Sequence, residues 1–221
     1  MTSVAVVTGA SGGIGSEIAT GLAGIVDRVV LTGRRADALE RAKPNGTAHV
    51  DIAPGDVTEP GSADRIARLV ESTGAERITL VMAAGGFGPV DALGAIDVPG
   101  WRETIDAHVI GALLLLDRFV PMMLASGWGR AISVSSAQSL HGPDPAAAAY
   151  ATAKAAMNVM TASMASQVSG TGVSICAIHP GDVETAMAED IRRKAADAGA
   201  PAAHLAAWGE SIRDGGGDDA A

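Results

Sequence analysis

Short apolar runs alternate with amphipathic segments along most of the chain. Six of these runs predict buried strands, over residues 4–7, 28–32, 49–52, 77–84, 129–136 and 172–178. The segments between them carry apolar residues at helical spacing, most clearly over 16–22, 62–72, 99–126 and 150–168. Strands and helices that alternate in this way predict an α/β fold, a doubly wound parallel sheet of the Rossmann type in a single domain.

The pattern changes after Thr185. We expect a dinucleotide-binding and catalytic domain over residues 1–185, a lid-like charged segment over 186–214, and a disordered acidic tail over 215–221. No seventh strand follows in the pattern. The last apolar run is therefore expected to form an exposed apolar edge of the sheet. Either the chain is truncated, or its tail or a partner covers this edge.

Composition and charge narrow the class of protein. The chain has 221 residues, 48% of them apolar and 19% charged, which suits a globular fold with a substantial core. A net charge of -9 leaves no basic face for nucleic acid. The single cysteine, Cys176, lies in an apolar run and is expected in the core. No uninterrupted apolar stretch approaches the roughly 18 residues of a membrane span, and the early first strand leaves no room for a signal peptide, so we expect a cytoplasmic protein without a membrane segment.

A glycine-rich turn links the first strand to the first helix. Its spacing is T-G-x-x-x-G-x-G, and glycines there let the backbone approach a pyrophosphate while the N–H groups of the helix's first turn supply donors. Glycine-rich turns also occur where a helix simply packs tightly on a strand. The candidate cofactor-binding residues of the turn are Thr8, Gly9, Ser11, Gly13, Ile14 and Gly15.

The ends of the next strands carry further candidate cofactor contacts. Arg34 and Arg35 follow the second strand, where an acid would bind ribose hydroxyls and arginines would attract a phosphate, so they favour NADP(H) over NAD(H). The alternative is that both merely cap and solvate the next helix. Asp56-Val57 follows the third strand and suits an adenine amino group, and Ala84-Gly85 ends the fourth strand at the edge where ligands collect.

Tyr150 and Lys154 form the candidate catalytic pair. Tyr150 is the only tyrosine, and Lys154 lies four residues later in an alanine-rich segment, so both side chains share one helix face. A nearby cation lowers the pKa of a phenol towards the range where it exchanges protons near neutrality. The fifth strand ends at a serine pair, of which Ser136 would hold a carbonyl or alcohol oxygen while Tyr150 moves the proton.

In these motifs the chain resembles the short-chain dehydrogenase/reductase family, from about Val4 to Thr185. The glycine turn, Asp56-Val57, the Tyr150–Lys154 pair and Pro180-Gly181 arrive in the family's order. The resemblance implies that Ser136 polarises the substrate oxygen, that Tyr150 is the general acid/base, and that Lys154 lowers the pKa of Tyr150 and holds the nicotinamide ribose. It also implies that a segment lies against the nicotinamide, with contacts from Pro180, Gly181, Val183 and Thr185.

The chain departs from the family's pattern in several places. The fourth strand ends Met82-Ala83-Ala84-Gly85 where the family has N-N-A-G. His108 stands where the family has the asparagine of its proton relay; it either holds a water there, which would make the relay pH-sensitive, or packs in a helix interface with no role. Ser136 precedes Tyr150 by one residue more than is usual, so Ser135 stays an alternative. The family's usual last strand is missing from the pattern.

We therefore expect an NADP(H)-dependent oxidoreductase acting on a small carbonyl or secondary alcohol. The alternative is a non-catalytic NADP(H)-binding regulatory or sensor protein of the same fold. The apolar helices over 101–125 and 150–168 are expected to pair in a homodimer. No histidine has metal-ligand spacing, so no metal is expected. The loops over 86–93 and 139–145 and the chain from Ala186 onward would shape the substrate pocket.

Overall fold

The computed structural model describes residues 1–140, 146–199 and 202–214. The predicted tail over 215–221 lies outside these residues, as does the loop over 141–145. Within the described chain, six strands form one fully parallel sheet in the order β3-β2-β1-β4-β5-β6. The strands are β1 Ser3–Thr8, β2 Arg28–Gly33, β3 His49–Pro54, β4 Arg77–Met82, β5 Gly129–Val134 and β6 Val173–Ile178. The predicted fold class, a doubly wound parallel sheet in a single domain, is confirmed.

Helices connect the strands and cover both faces of the sheet. The helices are α1 Gly13–Leu22, α2 Ala36–Arg41, α3 Pro60–Ser72, α4 Val98–Ile105, α5 Gly111–Ser126, α6 Ala148–Gln167, α7 Ala186–Ala198 and α8 Ala203–Arg213. One core cluster joins α3, α5 and α6 to the sheet, and a second joins α1 and α2 to the opposite face. The fourth and fifth strands are shorter than predicted. Ala83, Ala84, Ser135 and Ser136 therefore lie just beyond the strand ends, in the segments that line the carboxyl edge.

The sheet order places a crevice at the carboxyl ends of β1 and β4. The chain leaves β1 for β2 on one side of the sheet and later returns to β4 on the other side of β1. Val6 pairs with Val30 of β2 and with Leu80 of β4, so β1 is a central strand. At such a reversal the connecting segments diverge, and ligands of open α/β sheets bind there.

Helices α4 and α5 form one long helix through a π-helical turn at Asp106–Ile110. Pro121 lies inside this helix, where a proline commonly causes a kink or an end, but α5 continues past it to Ser126 and ends at Gly127, whose φ is +70°. The whole helix, Val98–Ser126, is long and apolar enough to cross a membrane by length and composition, and its most apolar 18-residue window has a mean hydropathy of 1.7. The count of uninterrupted apolar residues in the sequence did not identify this helix as long and apolar enough. Its buried face packs on the sheet through Leu115, Leu116 and Phe119, which is how a core helix acquires such a composition.

Strand β6 is an edge strand in the described chain. It pairs with β5 on one side, and no described strand pairs with its other side. Cys176 was expected in the core, but it is exposed, as are Ser174 and Ile178 on the same face. The prediction for Cys176 failed because an apolar run in a parallel strand is buried on both faces only where helices cover both.

Candidate active site

The glycine turn closes tightly against the end of β4. Gly9 has a φ of +64°, and a Cβ at that position would lie 2.8 Å from the carbonyl oxygen of Ala83. A Cβ on Gly15 would lie 2.3 Å from the carbonyl oxygen of Gly9. Helix α1 starts at Gly13 with no side-chain cap, so its first N–H groups stay available to an anion. The turn therefore has the backbone cradle that a pyrophosphate needs.

Thr8 joins this turn to the segment that follows β4. Its Oγ1 accepts hydrogen bonds from the backbone N–H groups of Ala83 and Ala84, both at 3.0 Å. This pair of bonds holds Ala84 and Gly85 beside the glycine turn, although the family's asparagines are missing from the strand end. Gly85 has a φ of +147°, and a Cβ there would lie 2.0 Å from Cε1 of His108. Only glycine fits between the strand end and the histidine ring.

The two candidate phosphate-binding arginines take different directions. Arg35 lines a cavity of about 480 Å³ between α1 and α2, together with Ser11. Arg34 is close enough to Asp56 for its charge to lower the pKa of that carboxyl, although hydrogen bonds from Thr58 are the larger cause. Oδ1 of Asp56 accepts these bonds from the backbone N–H at 3.0 Å and from the hydroxyl at 2.8 Å.

Val57 is buried and belongs to the core. A Cβ on Gly111 would lie 2.7 Å from its Cγ2, so the side chain packs inward against α5. Ile14 packs into the cluster on the other face of the sheet. Their side chains support the site from within the protein.

The three candidate catalytic side chains lie close together, between the end of β5 and the first turns of α6. They are Ser136, Tyr150 and Lys154. The Ser136 hydroxyl hydrogen-bonds the side chain of Tyr150. Lys154 lies one helical turn along, with Nζ 5.4 Å from the centre of the phenol ring, and Nζ donates to the carbonyl oxygen of Val134 at 2.6 Å. Ser135 faces elsewhere: its N–H donates to the carbonyl oxygen of Ile178 and its hydroxyl lies 3.4 Å from that of Ser139. The geometry favours Ser136 over Ser135 as the partner of Tyr150.

The electrostatics of the pair differ from the expectation. Burial raises the pKa of Tyr150, and the hydrogen bond from Ser136 offsets only part of this. Burial lowers the pKa of Lys154 to about 7. The prediction that Lys154 lowers the pKa of the phenol is therefore not met, because both groups are almost fully enclosed and burial, which disfavours the charged form of each, is the largest cause of both shifts.

His108 is wedged between the strand end and the catalytic helix. Its Nε2 lies 2.8 Å from the carbonyl oxygen of Gly86, and because a carbonyl only accepts, Nε2 carries the proton. Nδ1 is then an acceptor, and it is buried without a protein partner. Burial, with a smaller contribution from the charge of Lys154, lowers the pKa of His108 to about 3. The ring stays neutral near physiological pH, so it would not make a proton relay pH-sensitive there.

The segment after β6 lies directly on the glycine turn. A Cβ on Gly13 would lie 2.6 Å from Cγ2 of Thr185, so the two segments touch. Thr185 also caps α7 by accepting a hydrogen bond from the N–H of Ala188 at 3.4 Å. Pro180 and Gly181 lie in the loop between β6 and Thr185, where Gly181 has a φ of +78°, and Val183 is exposed. All four predicted residues therefore lie in the segment that links β6 to α7, and Thr185 contacts the glycine turn.

Two features of the site were not singled out from the sequence. Phe87 lies in the loop after β4, and its ring centre is 4.8 Å from that of Tyr150. Asn158 donates through Nδ2 to Oγ of Ser139 at 2.8 Å, and that hydroxyl donates to the carbonyl oxygen of Ser136 at 2.6 Å. Asn158 is one helical turn beyond Lys154 on the same face, which is a signal that could have identified it. Phe87 lies in the loop over 86–93 that was expected to shape the substrate pocket, although the residue itself was not singled out.

Comparison with known proteins agrees with this arrangement. A family model described as short chain dehydrogenase matches residues 3–196. An oxidoreductase of Staphylococcus saprophyticus is 33% identical over 193 residues, which cover 85% of this chain and 81% of the relative.

Solved structures show the same relationship. The L-sorbose reductase of Gluconobacter frateurii, complexed with NADPH and L-sorbose, superimposes with a TM-score of 0.79 at 27% identity, covering 90% of this chain and 77% of that one. A metagenomic short-chain oxidoreductase in complex with NADP gives a TM-score of 0.73 at 31% identity, covering 82% of this chain and 83% of that one. With most of its length inside the family match, the chain belongs to the short-chain dehydrogenases/reductases, the NAD(P)-dependent oxidoreductases that act on CH–OH and C=O groups.

Proposed function

We propose that this protein is an NADP(H)-dependent oxidoreductase that interconverts a small carbonyl compound and its secondary alcohol, with Tyr150 as the general acid/base. The observation that carries the proposal is the hydrogen-bonded pair of Ser136 and Tyr150, with Lys154 one helical turn away, at the same sheet edge as the glycine turn. A hydroxyl pair and an ammonium group at the rim of a dinucleotide cradle are what carbonyl reduction requires.

The residues of the cradle fit the cofactor. The first N–H groups of α1 would bind the pyrophosphate, and Arg35 with Ser11 would bind a phosphate on the adenosine ribose. Lys154 would hold the nicotinamide ribose, and the segment ending at Thr185 would lie against the ring. When bound, the nicotinamide supplies or accepts the hydride.

The proton moves at the phenol oxygen of Tyr150. The hydroxyl of Ser136 orients the substrate oxygen towards it, and the raised pKa of Tyr150 keeps the phenol protonated and ready to donate to a carbonyl oxygen. Lys154, buried beside the phenol, stabilises the phenolate that remains after the transfer.

Neutralising the arginines tests the cofactor assignment. In the wild type we expect tighter binding of NADPH than of NADH, and Arg35→Gln should weaken NADPH binding by about 10- to 100-fold, since hydrogen bonds to a charged group are worth about 1.5–3 kcal/mol. Arg34→Gln should have a smaller effect, because that arginine faces Asp56. Binding is followed by titrating each variant with NADPH and NADH and recording tryptophan quenching.

A matched control separates phosphate binding from net charge. Arg68→Gln makes the same charge change on an exposed position of α3, which covers the opposite face of the sheet. It should leave both affinities unchanged. Equal affinity for the two cofactors in the wild type would contradict the assignment of NADP(H), and no binding of either would contradict the proposed enzyme.

A homodimer through the long helices is part of the proposal. Several apolar side chains on them are exposed, among them Ile110, Leu124 and Val159, and Val159 is 68% exposed. Only 33% of the most apolar window of Val98–Ser126 is buried, which leaves an apolar surface that a second copy would cover. We expect a dimer in sedimentation, and dissociation towards monomer for Val159→Asp. A wild type that sediments as a monomer would refute the interface.

A further inference from the structure

The helices after Thr185 pack on the catalytic tyrosine with apolar side chains. Together with the loop after β4 and the start of α6 they form one buried cluster around Tyr150, here called the lid cluster. Its buried members are Phe87, Ala146, Ala147, Tyr150, Ile191, Ala195, Ala202 and Leu205, and Val90, Met187, Ala198, Ala206 and Trp208 pack around them. Because Tyr150 itself belongs to this cluster, a substrate whose oxygen reaches the phenol comes next to apolar side chains.

Phe87 is the member that contacts the phenol ring directly. The two rings are 4.8 Å apart at an interplanar angle of 31°, and Tyr150 is only 8% exposed. The imidazole of His108 packs edge-on against the phenol ring, with the ring centres 5.5 Å apart. Phe87 offers no hydrogen-bonding group. A substrate substituent that packs beside it therefore finds no hydrogen-bond partner there, which favours an apolar substituent.

The basic side chains of α7 are paired with other groups of the protein. Arg192 pairs with Glu184 at 2.6 Å and donates to the carbonyl oxygen of Gly209 at 2.8 Å. Lys194 pairs with Asp190 and donates to the carbonyl oxygen of Gly88, both at 2.7 Å. Arg193 also pairs with Asp190. A substrate carboxylate or phosphate would have to break one of these pairs to obtain a cation from this helix.

We propose that the substrate is a neutral ketone, or its secondary alcohol, whose carbonyl carbon carries an apolar alkyl or aryl substituent that packs against the lid cluster. The inference rests on the proposed function, since it names the substrate class of that site. The reaction is the reduction of C=O to CH–OH: hydride from the nicotinamide adds to carbon, and the proton of Tyr150 adds to oxygen. Polyhydroxylated and acidic carbonyl compounds are disfavoured because their hydroxyl or acid groups would be desolvated without partners.

A substrate panel tests this class. With saturating NADPH, we expect kcat/KM for acetophenone and cyclohexanone to exceed that for a ketohexose and for pyruvate by about 50-fold or more, the value of burying a phenyl-sized apolar surface. A larger kcat/KM for the ketohexose or for pyruvate would overturn the inference while leaving the oxidoreductase intact.

A substitution in the loop after β4 tests whether the lid cluster sets the preference for apolar substrates. Phe87→Asn should lower kcat/KM for acetophenone by about 10-fold or more, because it puts an amide against the apolar substituent, and it should leave the dissociation constant of NADPH unchanged. Ile25→Asn makes a similar change at a side chain that is 77% exposed, in the segment between α1 and β2 and outside the site, and it should change neither value. Equal effects of the two substitutions on acetophenone would contradict a role for the lid cluster.

A binding measurement separates this inference from the proposed function. Acetophenone should raise the melting temperature of the NADP⁺ complex in a concentration-dependent way, and the ketohexose should not. If no compound is turned over, the proposed function fails, and this measurement still decides whether the site is apolar. Stabilisation by the ketohexose alone, or by neither compound, would overturn the inference.

Discussion

Tyr150→Phe should abolish turnover and leave the cofactor site intact. The substitution removes the phenol oxygen that donates the proton, and loss of a positioned acid/base group typically costs about 10²- to 10⁴-fold in rate. The ring and its contact with Phe87 at 4.8 Å remain, so the fold should be unaffected. The measurement is kcat with NADPH and a ketone, together with the dissociation constant of NADPH.

The dissociation constant of NADPH distinguishes loss of catalysis from loss of cofactor binding. We expect NADPH to bind the Phe variant within about two-fold of the wild type, since Lys154 and the glycine turn are unchanged. Ser136→Ala is a useful comparison, because it removes the hydroxyl that bonds Tyr150 and should lower kcat less severely. Wild-type turnover by Tyr150→Phe would refute the mechanism and favour a protein that only binds the nucleotide.

Lys154→Met should yield a protein that is more stable near neutral pH and inactive. Lys154 is 5% exposed, and burial lowers its pKa from 10.5 to about 7. Enclosing an amine that would be protonated in water therefore lowers the free energy of unfolding of the wild type. Methionine fills a similar volume without that cost. We expect a gain of roughly 2 to 4 kcal/mol near pH 7, after allowance for the lost hydrogen bond to Val134.

The gain should depend on pH in a defined direction. Between pH 10.5 and about 7 the unfolded chain binds a proton at Lys154 that the folded chain does not, so the wild type loses stability as the pH falls through this range. Below about pH 7 both states bind it and the difference is constant. The advantage of Lys154→Met should therefore be largest below about pH 7 and vanish above pH 10.5.

Chemical denaturation across this pH range measures the effect. Lys43→Met is the control, because Lys43 is partly exposed and pairs with Glu40 at the surface. Its difference from the wild type should be small and nearly independent of pH. A Lys154→Met protein that is less stable than the wild type at neutral pH would show that the buried amine contributes to folding instead of opposing it.

Much of the fold could be predicted from local sequence. Each strand was assigned to within a few residues of its observed bounds. The central strands, such as β1 and β2, are buried on both faces, and such burial demands continuous apolar sequence. The errors in the strand boundaries lie at the carboxyl ends of β4 and β5, beside the candidate active site. The strands before Ala84 and Ser136 end earlier than their apolar runs, since the last residues leave the sheet to line the carboxyl edge.

Cys176 marks a second limit of local pattern. Its apolar run has the composition of a covered strand, yet the structure leaves that face of β6 exposed. Whether a helix lies over a strand depends on segments far away in the chain, and nothing in the run itself records it.

The sequence by itself determined the order of strands and helices, the glycine turn, and the spacing that places Tyr150 and Lys154 on one helix face. These are local properties, because backbone conformation and helix periodicity depend on near neighbours. Only the tertiary structure decided the protonation of the site. Distant segments enclose Tyr150, Lys154 and His108, and the loss of water around them raises the pKa of the phenol, lowers that of the amine to about 7 and keeps the imidazole neutral. Desolvation depends on everything that packs around a group, so no motif spacing can report it.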